Sequence, residues 1–279
     1  MIELVRTIAG MRKRVAAWHA DGLKVAVAPT MGALHDGHLT LVREGFKHAD
    51  KVITTIFVNP KQFAAHEDLS KYPRTEEQDV EMLAAEQVDL VFAPAPSEIY
   101  AEGFSTSIHM QGPALAGLED KFRPQFFDGV ATVVSKLFIQ SQADVAMFGE
   151  KDYQQLLVVK RMAQDLDIPI QVIGVPTIRE DDGLAMSSRN RYLAKHERHQ
   201  ATAIIRSLEQ AAEKIRHGGD AQSATKAAAR SLTTLGFEVD YVSARNAETL
   251  AVPTSKDEPL RLLAAARIGT TRLIDNMSV

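Results

Sequence analysis

His35 and His38 stand three residues apart in the run PTMGALHDGH, residues 29–38. On a helix that spacing turns both imidazoles to one side. Two imidazoles there can donate hydrogen bonds to phosphate oxygens as charge builds up. Gly37 between them leaves room for another chain or a ligand to approach. The run follows an apolar stretch that reads as a strand and opens a helical pattern. A helix start offers unpaired N–H groups and a partial positive charge, which suits phosphate. Two blander readings stand beside this one. The pair could be surface histidines near a helix cap, or two zinc ligands, for which no third ligand is evident nearby.

Three further runs carry similar groups. In IFVNPKQF, residues 56–63, Pro60 ends a strand by removing a donor. Asn59 and Gln62 then fall at the rim of the sheet, where an amide can donate to a carboxylate and accept from a hydroxyl. In FGEKDYQQ, residues 148–155, Lys151 offers a point positive charge to phosphate. Asp152 suits a helix cap or a ribose hydroxyl, and Gln154 and Gln155 fall in the first helical turn. In residues 185–190, Ser187 and Ser188 precede Arg189, and two hydroxyls with a guanidinium make a clamp for a diphosphate. Each run alone could be a polar loop, a capped helix or a hinge. Four of them at successive strand ends point to one site.

The elements that must position these groups alternate. Residues 24–28, 51–58, 88–92, 105–110, 143–148 and 170–175 read as strands. Helices are expected from about residue 35, over 73–87 with Thr75 as cap, over 129–140, and from the 149–152 turn to about 165. Residues 112–128 read as a loop. Parallel strands need crossover connections, so this order predicts an α/β fold with a Rossmann-like, doubly wound parallel sheet. Ligands of such sheets bind at the carboxyl ends of the strands. After about residue 176 the order changes to helices at 196–217 and 221–235, then strands at 237–243 and 260–274. That predicts a smaller α+β C-terminal domain, with the boundary near 176–186, giving units 1–178 and 179–279.

Composition narrows the function classes. The 279 residues carry a net charge of −4, so no electrostatic grip on nucleic acid or an anionic membrane is expected. With no cysteine, thiol nucleophiles, disulfides and cysteine-ligated metals are excluded. Glu3 and Arg6 interrupt the N-terminal apolar stretch, so no signal peptide is read there. No apolar run is long enough for a membrane span. A cytoplasmic protein is expected.

The His-x-Gly-His pattern is similar to the signature of the adenylyl-transferring α/β superfamily that includes class I tRNA synthetases. Residues 185–189 resemble a variant of the mobile Lys-Met-Ser-Lys-Ser loop of those enzymes. With IFVNPKQF, YPRT (residues 72–75), FGEKDYQQ and DGLAMSSRNRYL (residues 182–193), the chain resembles the pantothenate synthetase (pantoate–β-alanine ligase) family over essentially its whole length.

The resemblance implies an ATP site formed by Met31, Gly32, Ala33, Leu34, His35, Asp36, Gly37 and His38. Gly149, Glu150, Lys151, Asp152, Ile178, Met186, Ser187, Ser188 and Arg189 would complete it. His38 would be the active-site acid, with His35, Lys151, Ser187 and Arg189 neutralising charge. Gln62 and Gln155, with Asn59 and Arg123, would hold pantoate and β-alanine. Mg²⁺ would bridge the ATP phosphates. Family members can carry two adjacent acids after YPRT; here the pair is Gln78-Asp79, which leaves Asp79 as the candidate metal contact. Family members often have histidine where this chain has Phe126. The resemblance also implies a homodimer. Its chemistry would pass through a pantoyl-adenylate, releasing AMP and pyrophosphate. A related nucleotidylyltransferase, a tRNA synthetase relative and a non-catalytic binding module are the alternatives.

Overall fold

The computed structural model describes residues 2–63, 69 and 72–279. Along the first part of the chain run β1 (Glu3–Val5), α1 (Ile8–Ala20), β2 (Val25–Thr30), α2 (Asp36–His48), β3 (Lys51–Ile56), α3 (Glu76–Ala85) and β4 (Leu90–Phe92). Two single-turn helices follow, α4 (Pro96–Ile99) and α5 (Glu119–Phe122). Then come α6 (Phe126–Ser141), β5 (Val145–Gly149), α7 (Tyr153–Asp165) and β6 (Gln171–Val175). The six strands form one parallel sheet in the order β1-β4-β3-β2-β5-β6.

Successive side chains of a strand point to opposite faces, and β2 shows the consequence. Val25 and Val27 pack into the core formed with α1, α6 and α7. Ala26 and Ala28 pack into the core formed with α2 and α3. With helices on both faces, the central strands are buried on both sides and largely apolar, with Thr30, Thr54 and Thr55 as buried polar exceptions. The order reverses at β2, whose neighbours are β3 on one side and β5 on the other. That is the switch point where an open α/β sheet leaves a crevice. The runs at 29–38 and 148–155 leave the sheet at these two adjacent strand ends.

The C-terminal part has its own core. It contains α8 (Lys195–Ala201), α9 (Ala203–Arg216), α10 (Ala221–Thr234), β7 (Glu238–Asn246), β8 (Leu260–Ile268) and β9 (Thr271–Ser278). The last three form an antiparallel sheet, with an irregularity between Val239 and Tyr241. This layer docks against the carboxyl edge of the parallel sheet with a buried ion pair from Arg272 of β9 to Glu119 of α5, while Asp240 of β7 holds Arg272 from within the layer. Arg272 meets Glu119 at 2.7 Å and Asp240 at 2.6 Å, and the Tyr241 hydroxyl donates to Glu119 at 2.8 Å. Among the described residues no helix is long and apolar enough to cross a membrane.

Several sequence expectations are corrected. Residues 105–110 alternate like a strand but pair with none. Instead Ile108 N donates to Thr132 Oγ1 and Met110 N to Asp128 Oδ1, both on α6, so helix side chains satisfy groups a neighbouring strand would otherwise take. Residues 260–274 are not one strand: the chain turns at Gly269-Thr270 to form the β8–β9 hairpin. The 112–128 loop contains α5 and the first turn of α6. The 196–217 helix is two helices meeting at Thr202. β1 and α1, which the sequence reading passed over, add an edge strand beside β4 and a covering helix.

Candidate active site

The 31–38 loop is strained and braced. Ala33 has φ +52° and Gly32 has φ +79°. For alanine that left-handed conformation costs about 1–2 kcal/mol. Asp79, reaching up from α3 and buried, accepts from Ala33 N at 2.9 Å and Leu34 N at 2.8 Å. The Thr75 hydroxyl donates to the same carboxylate at 3.2 Å. Both oxygens of the Asp79 carboxylate are thus engaged by the loop's backbone. Among the described residues no cluster of three or more His, Asp or Glu could hold an ion. Ala33 and Leu34 are buried beneath the loop, and Asp36 points outward to Arg43 at 2.8 Å. Within the 31–38 loop, the residues that reach the cavity are Met31, His35, Gly37 and His38.

The two imidazoles lie with ring centres 4.1 Å apart. Gly37 is required by this packing, since a Cβ there would meet the His35 ring at 2.9 Å. Both histidines are held below the ordinary histidine value. Burial is the main cause for each, bringing His35 to about 4 and His38 to about 3. Lys151 and Arg191 add to the effect on His35, and His35 adds to that on His38. Both rings are therefore neutral at pH 7. His35 N donates to His38 Nδ1 at 3.3 Å. A backbone N–H can only donate, so Nδ1 is the bare nitrogen and Nε2 carries the proton. His38 is thus set as a neutral donor. Two other buried polar atoms, His35 Nδ1 and Thr177 Oγ1, find no partner among the described residues. Both residues line the same cavity of about 220 Å³. Buried polar atoms are normally paired, which marks this cavity as one that a polar ligand completes.

A chain of hydrogen bonds fixes the orientation of Gln62. Asn59 is buried, and its Oδ1 accepts from the Tyr100 hydroxyl at 2.8 Å and from Lys61 N at 3.3 Å. Its Nδ2 therefore faces Gly129 O at 3.1 Å and Gln62 Oε1 at 2.9 Å. With its oxygen so engaged, Gln62 turns its NH₂ to the cavity, which suits a carboxylate. Asn59 stands behind this amide rather than at the rim. Arg123 donates to Gln62 O at 3.2 Å and stacks 3.7 Å from the Phe126 ring. Phe126 thus serves as a platform for Arg123.

At the end of β5 the chain makes a 3₁₀ turn, Glu150–Asp152, before α7. Lys151 and Asp152 face the cavity, their charged groups 3.6 Å apart. Glu150 turns the other way, to Arg261 at 3.1 Å. Gln155 lines the cavity, while Gln154 is buried, accepting from Glu119 N at 3.0 Å and donating to Pro113 O at 2.8 Å. Adjacent residues of one helix turn thus face different ways, one towards the cavity and one into the scaffold.

Residues 186–189 close the cavity from the C-terminal side. Met186 N donates to Ile178 O at 2.9 Å, and Ile178 and Met186 both line the cavity. Ser187 caps the following turn by accepting from Arg189 N at 3.2 Å. Ser188 bonds to the Tyr72 hydroxyl, whose acidity burial weakens. The site groups Lys151, Asp152, Gln155, Ser187, Ser188 and Arg189 also border a wider cavity of about 910 Å³ against the C-terminal sheet. Sequence reasoning missed Thr177 and the sheet residues Asn276 and Arg261. None of them sits in a run with a chemical signature.

The pantoate-beta-alanine ligase family profile matches residues 3–278. The chain belongs to this family. It is 55% identical to a pantothenate synthetase of Bradyrhizobium sp. over 99% of this chain and 98% of the relative. It is 56% identical to that of Caulobacter vibrioides over the same shares. Among solved structures, the pantothenate synthetase of Thermus thermophilus superimposes with a TM-score of 0.92 at 42% identity, covering 99% of both chains. A pantoate-beta-alanine ligase of Francisella tularensis, complexed with beta-gamma ATP and beta-alanine, gives a TM-score of 0.78 at 31% identity. It covers 100% of this chain and 98% of that one. Fold class and enzyme class therefore agree with the sequence expectation: a Rossmann-like α/β ligase with a smaller C-terminal sheet.

Proposed function

We propose that this ligase joins (R)-pantoate to β-alanine through a pantoyl-adenylate. The pantoate carboxylate attacks the α-phosphorus of ATP, the bond to the bridging oxygen breaks, and pyrophosphate leaves. The β-alanine nitrogen then attacks the acyl carbon, loses a proton and displaces AMP. The observation that carries this reading is the cavity at the β2/β5 switch point. It holds a neutral His38 with its proton on Nε2, the Lys151 ammonium, and an outward-facing Gln62 amide. Phosphate and carboxylate donors in one cleft are what adenylation of a carboxylate needs, because both reactants are anions. Positioning and charge neutralisation then dominate, without a covalent enzyme intermediate.

In this reading ATP lies across the carboxyl edge of the sheet. Its phosphates are near His35, His38 and Lys151, and Ser187, Ser188 and Arg189 are at the diphosphate. Gln62 and Gln155 hold pantoate, with Arg123 behind Gln62. The ATP and β-alanine of the Francisella tularensis complex support the two ligand classes. Mg²⁺ would supply charge neutralisation at the triphosphate, and since no carboxylate or imidazole cluster among the described residues is arranged to hold an ion by itself, it would arrive with the nucleotide. Residues 179–279 would form the smaller domain, with 186–189 as a lid that shields the adenylate from water. The homodimer implied by resemblance belongs to the same proposal, and light scattering of the purified chain tests it.

With ATP, Mg²⁺ and pantoate alone, labelled pyrophosphate should exchange into ATP. His38→Ala should slow this exchange by roughly 10²–10³-fold, the scale for losing one charge-stabilising donor. Release of ADP, or exchange that strictly requires β-alanine, would overturn the adenylate route. Retention of the nucleotide in the final product would mark a nucleotidylyltransferase instead.

A further inference from the structure

We infer that Asn276, on the last strand of the C-terminal sheet, is a positioning residue that holds Lys151 in place for the adenylation step. The inference rests on the proposed role of Lys151. Asn276 is buried and lies more than a hundred residues from the turn it grips. Its Nδ2 donates to Glu150 O at 2.9 Å and to Lys151 O at 2.8 Å. Its Oδ1 accepts from Arg261 Nε at 2.7 Å. Carbonyls cannot donate and a guanidinium cannot accept, so only one orientation of this amide satisfies all three partners. Both carbonyls belong to the 3₁₀ turn that carries Lys151 from the sheet to α7.

A second set of contacts fixes the same turn from the same sheet. Arg261 Nη2 donates to Glu150 Oε2 at 3.1 Å, and its guanidinium lies 4.0 Å from the Tyr153 ring. Arg261 therefore orients Asn276 and clamps both flanks of Lys151. The neighbouring residue, Asp275, takes both arms of Arg179, at 2.7 and 2.9 Å. Arg179 pairs in a β-bridge with Ala185, immediately before residues 186–189. Two consecutive residues of β9 thus grip the roots of the two phosphate-facing segments that leave the parallel sheet body. A long ammonium side chain is placed only as well as its backbone, and displacement of about 1 Å can cost on the order of 10²-fold in rate.

The test uses the full-length enzyme and two substitutions. Asn276→Asp keeps the shape but replaces the NH₂ and its two N–H donors with one oxygen facing both carbonyls. Arg261→Met removes the group that orients the amide, and guards against one variant failing to fold. Amide hydrogen exchange of residues 149–155 should quicken in both, while exchange of residues 31–38 stays as in the wild type. Pyrophosphate exchange at saturating substrates should fall roughly 10- to 100-fold, with the pantoate KM changed less than about threefold. The double variant should lose less than the product of the single losses, because both act through one turn. Unchanged exchange at 149–155 in a folded variant overturns the inference. So does a loss of rate that merely follows the folded fraction. If the wild type itself shows no pantoate-dependent exchange, the proposed function fails, and the hydrogen-exchange result alone still decides whether Asn276 holds the turn.

Discussion

The loop of residues 31–38 and the turn of residues 149–152 leave adjacent strands and face one cavity, yet different parts of the chain hold them. The first is braced inside the parallel-sheet body by Asp79 of α3. The second is gripped by Asn276 and Arg261 from the C-terminal sheet. The backbone that carries the histidines is therefore braced from within the body. The turn that carries the lysine takes side-chain contacts from the C-terminal layer as well. A site divided this way can keep its imidazoles set while the positive charge opposite them is held in part by domain contact.

The largest effect that could break this comparison comes from undocking the layer. Arg272→Met leaves Glu119 and Asp240 buried without their cation, and losing one partner of such a pair costs about 3–5 kcal/mol. Denaturant unfolding measures it. Hydrogen exchange should rise at 149–155 and not at 31–38; a rise in both would show the two loops to be one unit.

Asp79→Asn tests the other brace. One of the two backbone N–H groups of Ala33 and Leu34 would face an NH₂, and a lost hydrogen bond to a charged group costs about 1.5–3 kcal/mol. Exchange should quicken at 31–35 while 149–155 stays protected. The same midpoint in denaturant as the wild type would remove Asp79 as the strut.

The pH dependence sharpens the account of the imidazoles. Both histidines have folded values below the ordinary one near 6.5, at about 4 and about 3. Between pH 6.5 and those values the unfolded chain binds more protons than the folded one. Stability should therefore fall as pH falls through this window and be fully present above it. His35→Gln with His38→Gln should flatten the slope of melting temperature between pH 6.5 and 5. An unaltered slope would show that the rings are not held neutral by burial.

The smallest effect is expected at Asp36. Its carboxylate pairs with Arg43 on the exposed side of α2. Asp36→Asn should change stability by no more than about 0.5 kcal/mol. The KM for ATP should stay within about threefold of the wild type. A larger loss would place Asp36 on the nucleotide after all.

Much of this is legible in the sequence. Chemistry-bearing runs at successive strand ends, the alternation of strands and helices, and the change of pattern near residue 176 all follow from local composition. Where the sequence misleads, the competing partner is distant along the chain. Residues 105–110 alternate correctly, but α6 side chains take their N–H groups. Residues 260–274 are largely apolar, so little but the two turn residues announces a hairpin. The part Asp79 plays in bracing the 31–38 loop is hidden, because the two amides it binds lie 45 and 46 residues away.

What the sequence by itself determined was the set of groups and the strand ends that carry them, since periodicity and turn chemistry act over a few residues. What only the tertiary structure decided was which of those groups face the cavity and in what state. Burial against neighbouring elements keeps His35 and His38 neutral. A hydrogen-bond chain from Tyr100 through Asn59 turns the Gln62 amide outward. A strand at the far end of the chain holds the Lys151 turn. These are consequences of desolvation and of long-range pairing, which depend on what the fold brings together.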